Sequence, residues 1–284
     1  MLHYSIPCTN PWWNMAFDEW LLQNGPDEPV FRLWRNEPSV IIGHNQVAAR
    51  EVNLQYIKEH GIKLARRVTG GGAVYHDLQN LNYTFAGPIG SFVAPEATAS
   101  DPVRGSAAHP SQPGGWAPPS YDAEGGTPLG GSTSGAATAG DIVPGPRLMV
   151  QALRYLGLPA ELTGRNDIFV EGRKVSGYAR SVWHNREIIH GTLMYNVDID
   201  TLTAALNVEG SSKLNRKGVS SVRSRVANIK DYLPQFRSLD ALEAALLEFL
   251  SENAGTLTIS SPQLAEIDDL ASNKFASASW IYRF

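Results

Sequence analysis

Residues 66–77 read RRVTGGGAVYHD, and nearly every residue type in that run can meet an anion. Glycine runs are entropically costly, and a folded chain keeps them where backbone must approach something closely. Three consecutive N–H groups at Gly70, Gly71 and Gly72 can form a concavity for phosphate or carboxylate. Arg67 and the Thr69 hydroxyl would be the side-chain donors, with His76 and Asp77 orienting a ligand or a metal. No Lys-Ser or Lys-Thr follows the glycines, and the spacing is not that of the dinucleotide fingerprint, so the familiar phosphate loops do not apply. By itself a glycine triplet reads as a tight connection with Arg66 and Arg67 in solvent. Two arginines, three glycines and His-Asp together shift the reading toward a binding loop.

A second candidate is TGRNDIFVEGRKVSGYA, residues 163–179. Asn166 or Asp167 could ligate Mg²⁺ on a phosphate chain, and Lys174 could meet a developing phosphoryl or carboxyl charge. Taken alone, the Asn-Asp pair is a turn former and the Arg-Lys pair a solvated hairpin end. His190, within the apolar run EIIHGTLMYNV, reads as a satisfied core histidine. The run KGVSSVRSRV reads as a solvated basic face. Cys8 has no base or cationic pocket near it in sequence and is not expected to be a nucleophile.

The elements that must position these groups follow from periodicity. NPWWNMAFDEWLLQNG predicts a helix with Asn10 as N-cap, Pro11 at its first position, an apolar stripe of Trp13, Phe17, Trp20 and Leu21, and a stop at Gly25. VFRLWRN and SVIIGHN predict strands on either side of a turn at 36–38. LQYIKEHG predicts a short helix, and IKLARRV and LNYTFAG predict strands. The glycine segment therefore joins strand to strand, unlike a mononucleotide fold. RLMVQALRYLG predicts a helix with Leu148, Ala152 and Leu156 inward, and DIFVEGRKVSGYARSV a hairpin turning at Glu171 and Gly172. EIIHGTLMYNV predicts a strand. LDALEAALLEFL predicts a helix with Leu239, Leu242, Leu246 and Phe249 on one face. Residues 91–143 are rich in Gly, Pro, Ser, Ala and Thr without either period, which predicts a disordered insertion.

Composition bounds the function. The 284 residues carry 43% apolar and 18% charged residues with net charge −4. That describes an ordinary soluble globular protein with no global field for nucleic acid. Basic residues cluster locally at Arg66 and Arg67, at Arg173 and Lys174, and over 213–225, which suits a small anion better than a polymer. A single cysteine excludes an intrachain disulfide framework and a cysteine-rich zinc site. The first residues lack the n-region and h-region of a signal peptide, and no apolar run reaches membrane-spanning length. A cytoplasmic location is the expectation.

Six stretches together resemble the lipoate–protein ligase family, in the family's order over most of residues 10–230. They are NPWWNMAFDEWLL, LWRNEPSVIIGHNQ, RRVTGGGAVYHDLQNLNYTF, GRNDIFVEGRKVSGYA, HGTLMYNVD and KGVSSVRSRVANI. The resemblance implies an α/β (α+β) fold of mixed β-sheets flanked by helices, shared with the catalytic domain of biotin–protein ligases. It implies a catalytic domain over 1–250 holding the 91–143 insertion, and a tail over 251–284 that ends where many members begin a small accessory domain. It implies ATP and Mg²⁺ as cofactors, lipoate as substrate, and a two-step reaction through lipoyl-adenylate. The acceptors implied are the carrier domains of 2-oxoacid dehydrogenase acyltransferase subunits and the glycine-cleavage carrier protein, with a separate accessory-domain protein as a further partner. Neither nucleic acid nor membrane is implied.

Carried over residue by residue, the family's catalytic lysine falls on Lys174. Arg67, Thr69, Gly70, Gly71 and Gly72 fall on the acyl and phosphate loop, and Val74, Tyr75, His76 and Asp77 on the adenosine side. Asn80, Asn166, His190 and Gly191 join the substrate- and ATP-binding set, and Asp167 is the Mg²⁺ residue. Two other classes remain open at this point: an octanoyl or lipoyl transferase without adenylation, and a non-catalytic lipoate or nucleotide binder. A cysteine-dependent transferase needs a mid-chain thiol, and Cys8 does not supply one.

Overall fold

The computed structural model describes residues 1–92, 144–163, 166–207 and 226–284. The first helix, α1 (Pro11–Asn24), begins as its sequence requires: Asn10 Oδ1 accepts from the Trp12 N–H and Pro11 takes the first position. At its other end Gly25 N–H donates to Leu21 O, while the Arg186 guanidinium donates to the carbonyls of Leu21, Leu22 and Pro26. Two of the last-turn carbonyls, those of Leu21 and Leu22, are thereby satisfied. Trp13, Phe17, Trp20 and Leu21 are buried as expected, but so are Asn14, Asp18 and Glu19. The helix is a central element enclosed on all sides rather than an amphipathic surface one.

Eleven strands are described: β1 (Leu2–His3), β2 (Val30–Trp34), β3 (Ser39–Ile42), β4 (Lys63–Arg66), β5 (Val74–His76), β6 (Asn80–Pro88), β7 (Ala160–Thr163), β8 (Asp167–Val170), β9 (Arg173–Trp183), β10 (Arg186–Met194) and β11 (Gly255–Thr256). Eight form one sheet in the order β11-β1-β2-β6-β10-β9-β8-β7, and three form a second in the order β4-β3-β5. β1 runs parallel to β2 and β11, β3 runs parallel to β4, and the other pairs are antiparallel. This is the mixed α/β architecture expected. The turn at 36–38 does not join paired strands: it carries the chain from the large sheet to the small one. The hairpin at Glu171 and Gly172 stands as expected, with both residues at positive φ (50° and 76°).

β6 shows how the large sheet serves two layers. Leu81, Tyr83 and Phe85 point into a core with Phe31, Leu33 and the helices Pro144–Tyr155 and Leu239–Leu250. Asn80, Asn82 and Thr84 alternate onto the opposite face, toward α1, and are equally buried. A second core packs α1 against Val30, Ala86 and Ile188, and a third surrounds the small sheet.

Several sequence expectations shift. In the helix Pro144–Tyr155 the buried face is Met149, Ala152 and Leu153, whereas Leu148 and Leu156 are only partly buried. The helix begins at Pro144 and lays Gly145 against Phe85, where an added Cβ would come within 2.8 Å of the ring. That contact fixes its rotation. In the helix Leu239–Leu250, Leu250 rather than Phe249 completes the buried stripe, and Phe249 meets Tyr155 with centroids 5.1 Å apart.

Residues 251–284, expected as a tail, pack against the body. Ile267 and Phe275 are fully buried in the α1 core, Lys274 Nζ bonds both Glu19 oxygens at 2.6 and 2.7 Å, and Trp13 Nε1 donates to Asp268. The insertion expected from residue 91 includes Phe92, which is buried with its ring 5.6 Å from that of Phe85. The rest of it, the segment 213–225, and Gly164 and Arg165 of the Gly-Arg-Asn-Asp run lie outside the described residues. No helix among the described residues is long and apolar enough to cross a membrane.

Candidate active site

Paired residues across antiparallel strands project to the same face, so register alone builds one wall of a cleft. Arg32, Thr84 and His190 form one rung across β2, β6 and β10; Trp34, Asn82 and Thr192 form the next. Both rungs face α1. A cleft of about 140 Å³ opens over them, and Met15, Trp34, Ile41 and Val74 supply its apolar surface. Arg67, Gly71, Gly72, His76, Asn166, Lys174, His190 and Gly191 also line it. Stretches far apart in sequence thus meet at one place.

Behind the first rung lies a buried polar chain. Arg32 donates to Asp18 Oδ1 (2.9 Å) and to Asn14 Oδ1 (3.0 Å), and Thr84 donates to Asp18 Oδ1 (3.0 Å). His190 Nδ1 lies 2.7 Å from Asp18 Oδ2, and its Nε2 lies 2.7 Å from Thr69 Oγ1, which accepts from Arg67 Nε at 3.0 Å. Burial alone would raise the Asp18 pKa; Arg32 and then His190 more than offset that and hold it below its ordinary value. Thr69, His190 and Asp18 have the connectivity of a hydrolase triad. The Thr69 hydroxyl is fully buried and does not line the cleft, so it is not presented to a substrate. The chain orients Arg67 and His190 instead.

Arg67 is the buried cation of the site. Its other donors go to the carbonyls of Ile41, Gly70 and Gly72, and it has no carboxylate partner among the described residues. Burial pushes its pKa down to about 10, so it stays charged at neutral pH with its positive field uncompensated. Of the three glycines only Gly71 has a positive φ (94°). Its carbonyl oxygen lies 2.2 Å from where a Cβ on Gly43 would be, so Gly43 is what lets the glycine loop close down on the small sheet. Gly191 lines the cleft, but what excludes a side chain there is Tyr83, 2.4 Å from its notional Cβ.

The second cation comes from the β8–β9 hairpin. Lys174 Nζ lies 2.7 Å from Asp167 Oδ1, both partly exposed at the mouth. A register irregularity between Ile168 and Phe169 sets this approach. Gly177 leaves room for the ammonium, which a Cβ would meet at 3.0 Å. Arg173, its neighbour, is exposed.

Other expected residues fall around the cleft rather than in it. Gly70 is exposed and Tyr75 packs into the third core. Asp77 accepts from the backbone of Gln79 and Asp198, and burial raises its pKa. Asn80 donates to Asn82 Oδ1 at 2.9 Å. No group of three or more His, Cys, Asp or Glu suited to a metal occurs among the described residues. The residues that sequence reasoning passed over are Asn14, Asp18, Arg32, Trp34, Asn36, Asn82 and Thr84. Their signal was present: a carboxylate inside MAFDEWLL, a guanidinium inside VFRLW, and polar alternation in NLNYTF.

Known proteins resemble this chain over most of its length. The family described as the lipoyl protein ligase A/B catalytic domain matches residues 10–94 and 140–251. A lipoate–protein ligase 1 of Staphylococcus aureus is 35% identical over 277 residues, 96% of this chain and 70% of that protein. A bi-partite lipoate protein ligase of Thermoplasma acidophilum, studied with its E2 lipoyl domain, superposes with a TM-score of 0.73 at 28% identity. That likeness covers 99% of this chain and 95% of the other. A lipoate–protein ligase A bound with ATP gives 0.69 at 28%, over 99% and 98% of the two chains. With the family match running through both walls of the cleft, the chain belongs to the lipoyl protein ligase A/B catalytic domain family.

Proposed function

We propose that this chain is an ATP-dependent lipoate–protein ligase, which forms lipoyl-adenylate and passes the lipoyl group to a lysine of a carrier domain. The observation that carries the reading is one cleft with an apolar wall of Met15, Trp34, Ile41 and Val74 and two cations, Arg67 and Lys174. An apolar acyl chain with an anionic head fits that division. The relatives named for lipoate ligation and the ligase bound with ATP support it.

In the first step a lipoate carboxylate oxygen attacks the α-phosphorus of ATP and pyrophosphate leaves. Lys174 meets the charge crowded between carboxylate and phosphate, and Arg67 holds the anionic head from below. Gly71, Gly72 and Val74 close the loop side over the water-sensitive anhydride, while Asn166 sits at the phosphate end. In the second step the carrier lysine amine attacks the acyl carbonyl, AMP leaves, and an amide remains. Mg²⁺ usually binds through one or two carboxylates plus substrate phosphates, and the partly exposed Asp167 fits that donor set. Bound there with ATP, the ion would neutralise phosphate charge.

Carrier domains of 2-oxoacid dehydrogenase acyltransferase subunits and the glycine-cleavage carrier protein are the acceptors proposed. The test is pyrophosphate release with lipoate, ATP and Mg²⁺, followed by transfer to an apo lipoyl domain. It is run first with the chain alone; turnover there would remove the need for a separate accessory protein. Transfer from an octanoylated carrier without ATP would support the transferase reading instead. Against that reading, Cys8 sits outside the cleft among Ser5, Ile6, Pro7, Arg35 and Glu243, with its thiol pKa raised by burial.

A further inference from the structure

Two side chains in the cleft end in buried N–H groups with no acceptor among the described residues: His76 Nε2 and Asn82 Nδ2. The residues are only 3% and 1% exposed. Buried donors are normally paired, and an unpaired one in a native fold calls for an explanation. For His76 the donor is fixed by a relay that starts at a group unable to accept. Arg32 Nη1 donates to Asn14 Oδ1, so the Asn14 amide nitrogen must face its acceptors: Cys8 O, Arg35 O and Asn36 Oδ1. Asn36 therefore turns its own nitrogen to His76 Nδ1 at 3.0 Å. Nδ1 is the acceptor, and the ring proton sits on Nε2. Asn82 is in a similar position, since Asn80 occupies its oxygen and leaves the amide nitrogen free. Both side chains flank Trp34: the His76 ring lies 6.2 Å from the indole, and Asn82 is its register partner on β6.

We propose that His76 Nε2–H and Asn82 Nδ2–H form an uncharged oxyanion site, which grips the carbonyl oxygen of the bound acyl group during transfer. This rests on the ligase reading above. The two half-reactions place opposite demands on such donors. During adenylation the carboxylate oxygen that does not attack loses negative charge as it becomes a carbonyl, so donors to it do not lower that barrier. During transfer the amine nitrogen bonds to the carbonyl carbon, the C=O pair moves onto oxygen, and negative charge develops on that oxygen, so donors held to it lower the barrier. Collapse of that oxyanion expels AMP, and the ammonium proton is lost to water. Burial, then Arg67 and His190, lower the His76 pKa to about 3, so the ring stays neutral and acts as a donor rather than a general base.

The experiment separates the half-reactions. Preformed lipoyl-adenylate is given to wild type, His76→Phe, Asn82→Leu and the double variant with an apo lipoyl domain, and pyrophosphate release from lipoate and ATP is measured separately. Transfer should fall roughly 10²–10³-fold in His76→Phe. Adenylation should fall less than about tenfold, and the double variant should be no worse than about the larger single loss. Equal losses in both half-reactions, an effect on KM alone, or multiplying losses in the double variant would overturn the proposal. If the variants do not fold, long-range ¹H–¹⁵N spectra of wild type decide. A protonated Nε2 whose proton moves downfield on adding lipoyl-adenylate is expected, and a protonated Nδ1 sinks the idea. Wild type that releases no pyrophosphate would fail the ligase reading itself, which is a different result from a wild type that works and variants that do not slow transfer.

Discussion

Lys174 Nζ and Asp167 Oδ1 stand 2.7 Å apart at the mouth of the cleft, on facing strands of one hairpin, with side chains 36% and 25% exposed. The pair is therefore held but not sealed. An exposed ion pair is worth little to stability, so its geometry is available to a ligand at small cost. A phosphate chain can take Lys174 while Asp167 turns to a cation.

Lys174→Ala should lower lipoyl-adenylate formation by orders of magnitude while leaving the melting curve nearly unchanged, because neither partner is buried. Lys174→Arg should rescue poorly, since Gly177 leaves space for a compact ammonium and not for a planar guanidinium. Arg173→Ala, exposed on the other side of β9, should be mild. Pyrophosphate release checks all three, and near-normal turnover in Lys174→Ala would remove the lysine from the chemistry.

How much of this was readable from the chain can be judged by residue. The β8–β9 hairpin and the strand-to-strand glycine segment followed from turn chemistry and periodicity, whereas Lys174 was singled out by the family resemblance alone, its own stretch reading as a solvated hairpin end. Asp18 was not readable, because a carboxylate in an amphipathic helix is ordinarily on the wet side. Here α1 turns it onto the large sheet, against Arg32, Thr84 and His190, while the 261–281 segment covers Trp13, Glu19 and Trp20 on another side. Asn82 and Thr84 were hidden for the same reason: alternation along NLNYTF looks like one wet face, and here both faces are covered. The inward rotation of Pro144–Tyr155 depends on a glycine-to-ring contact with Phe85 from a distant strand, which no local pattern encodes.

Asp18→Ala should destabilise the fold by about 3–5 kcal/mol, because it leaves the fully buried Arg32 without its carboxylate. Urea unfolding measures this. Asp18→Asn should lose less, since an oxygen remains for Arg32 and Thr84. A loss below about 1 kcal/mol in Asp18→Ala would mean that Asn14 alone compensates Arg32.

The depressed His76 pKa gives stability a pH signature. The unfolded ring protonates below about 6.5, whereas the folded ring stays neutral down to about 3. Between those values the unfolded state binds the extra proton, so stability from this group is present above pH 6.5 and is lost as pH falls toward 3. Wild type should lose about 1.4 kcal/mol per pH unit more than His76→Phe across that window. Parallel stability–pH curves for the two proteins would contradict the buried neutral ring.

Cys8→Ser should leave acyl transfer intact, because the only thiol in the chain lies outside the cleft and burial raises its pKa. Mass spectrometry of acid-quenched reactions should find no acyl thioester on Cys8. A trapped thioester, or a folded Cys8→Ser protein without transfer, would restore the cysteine-dependent mechanism.

The glycine loop makes the last prediction, because its members are glycine for different reasons. Gly71 has φ of 94°, so Gly71→Ala forces an L-residue into the left-handed region, at about 1–3 kcal/mol. Gly43→Ala strikes backbone, the Gly71 carbonyl oxygen at 2.2 Å, and cannot be relieved by a side-chain rotation; it should lift the loop off the small sheet. Neither Gly70 nor Gly72 has a positive φ or a neighbour within 4 Å of an added Cβ, so alanine there should be close to neutral for stability. Function should separate those two. Gly72 lines the cleft and Gly70 does not, so Gly72→Ala should raise the KM for lipoate or ATP several-fold more than Gly70→Ala. Thermal melts and initial rates of pyrophosphate release on the four variants give the comparison. Equal KM values for the Gly70 and Gly72 variants would show that the bound acyl-adenylate does not approach this side of the loop.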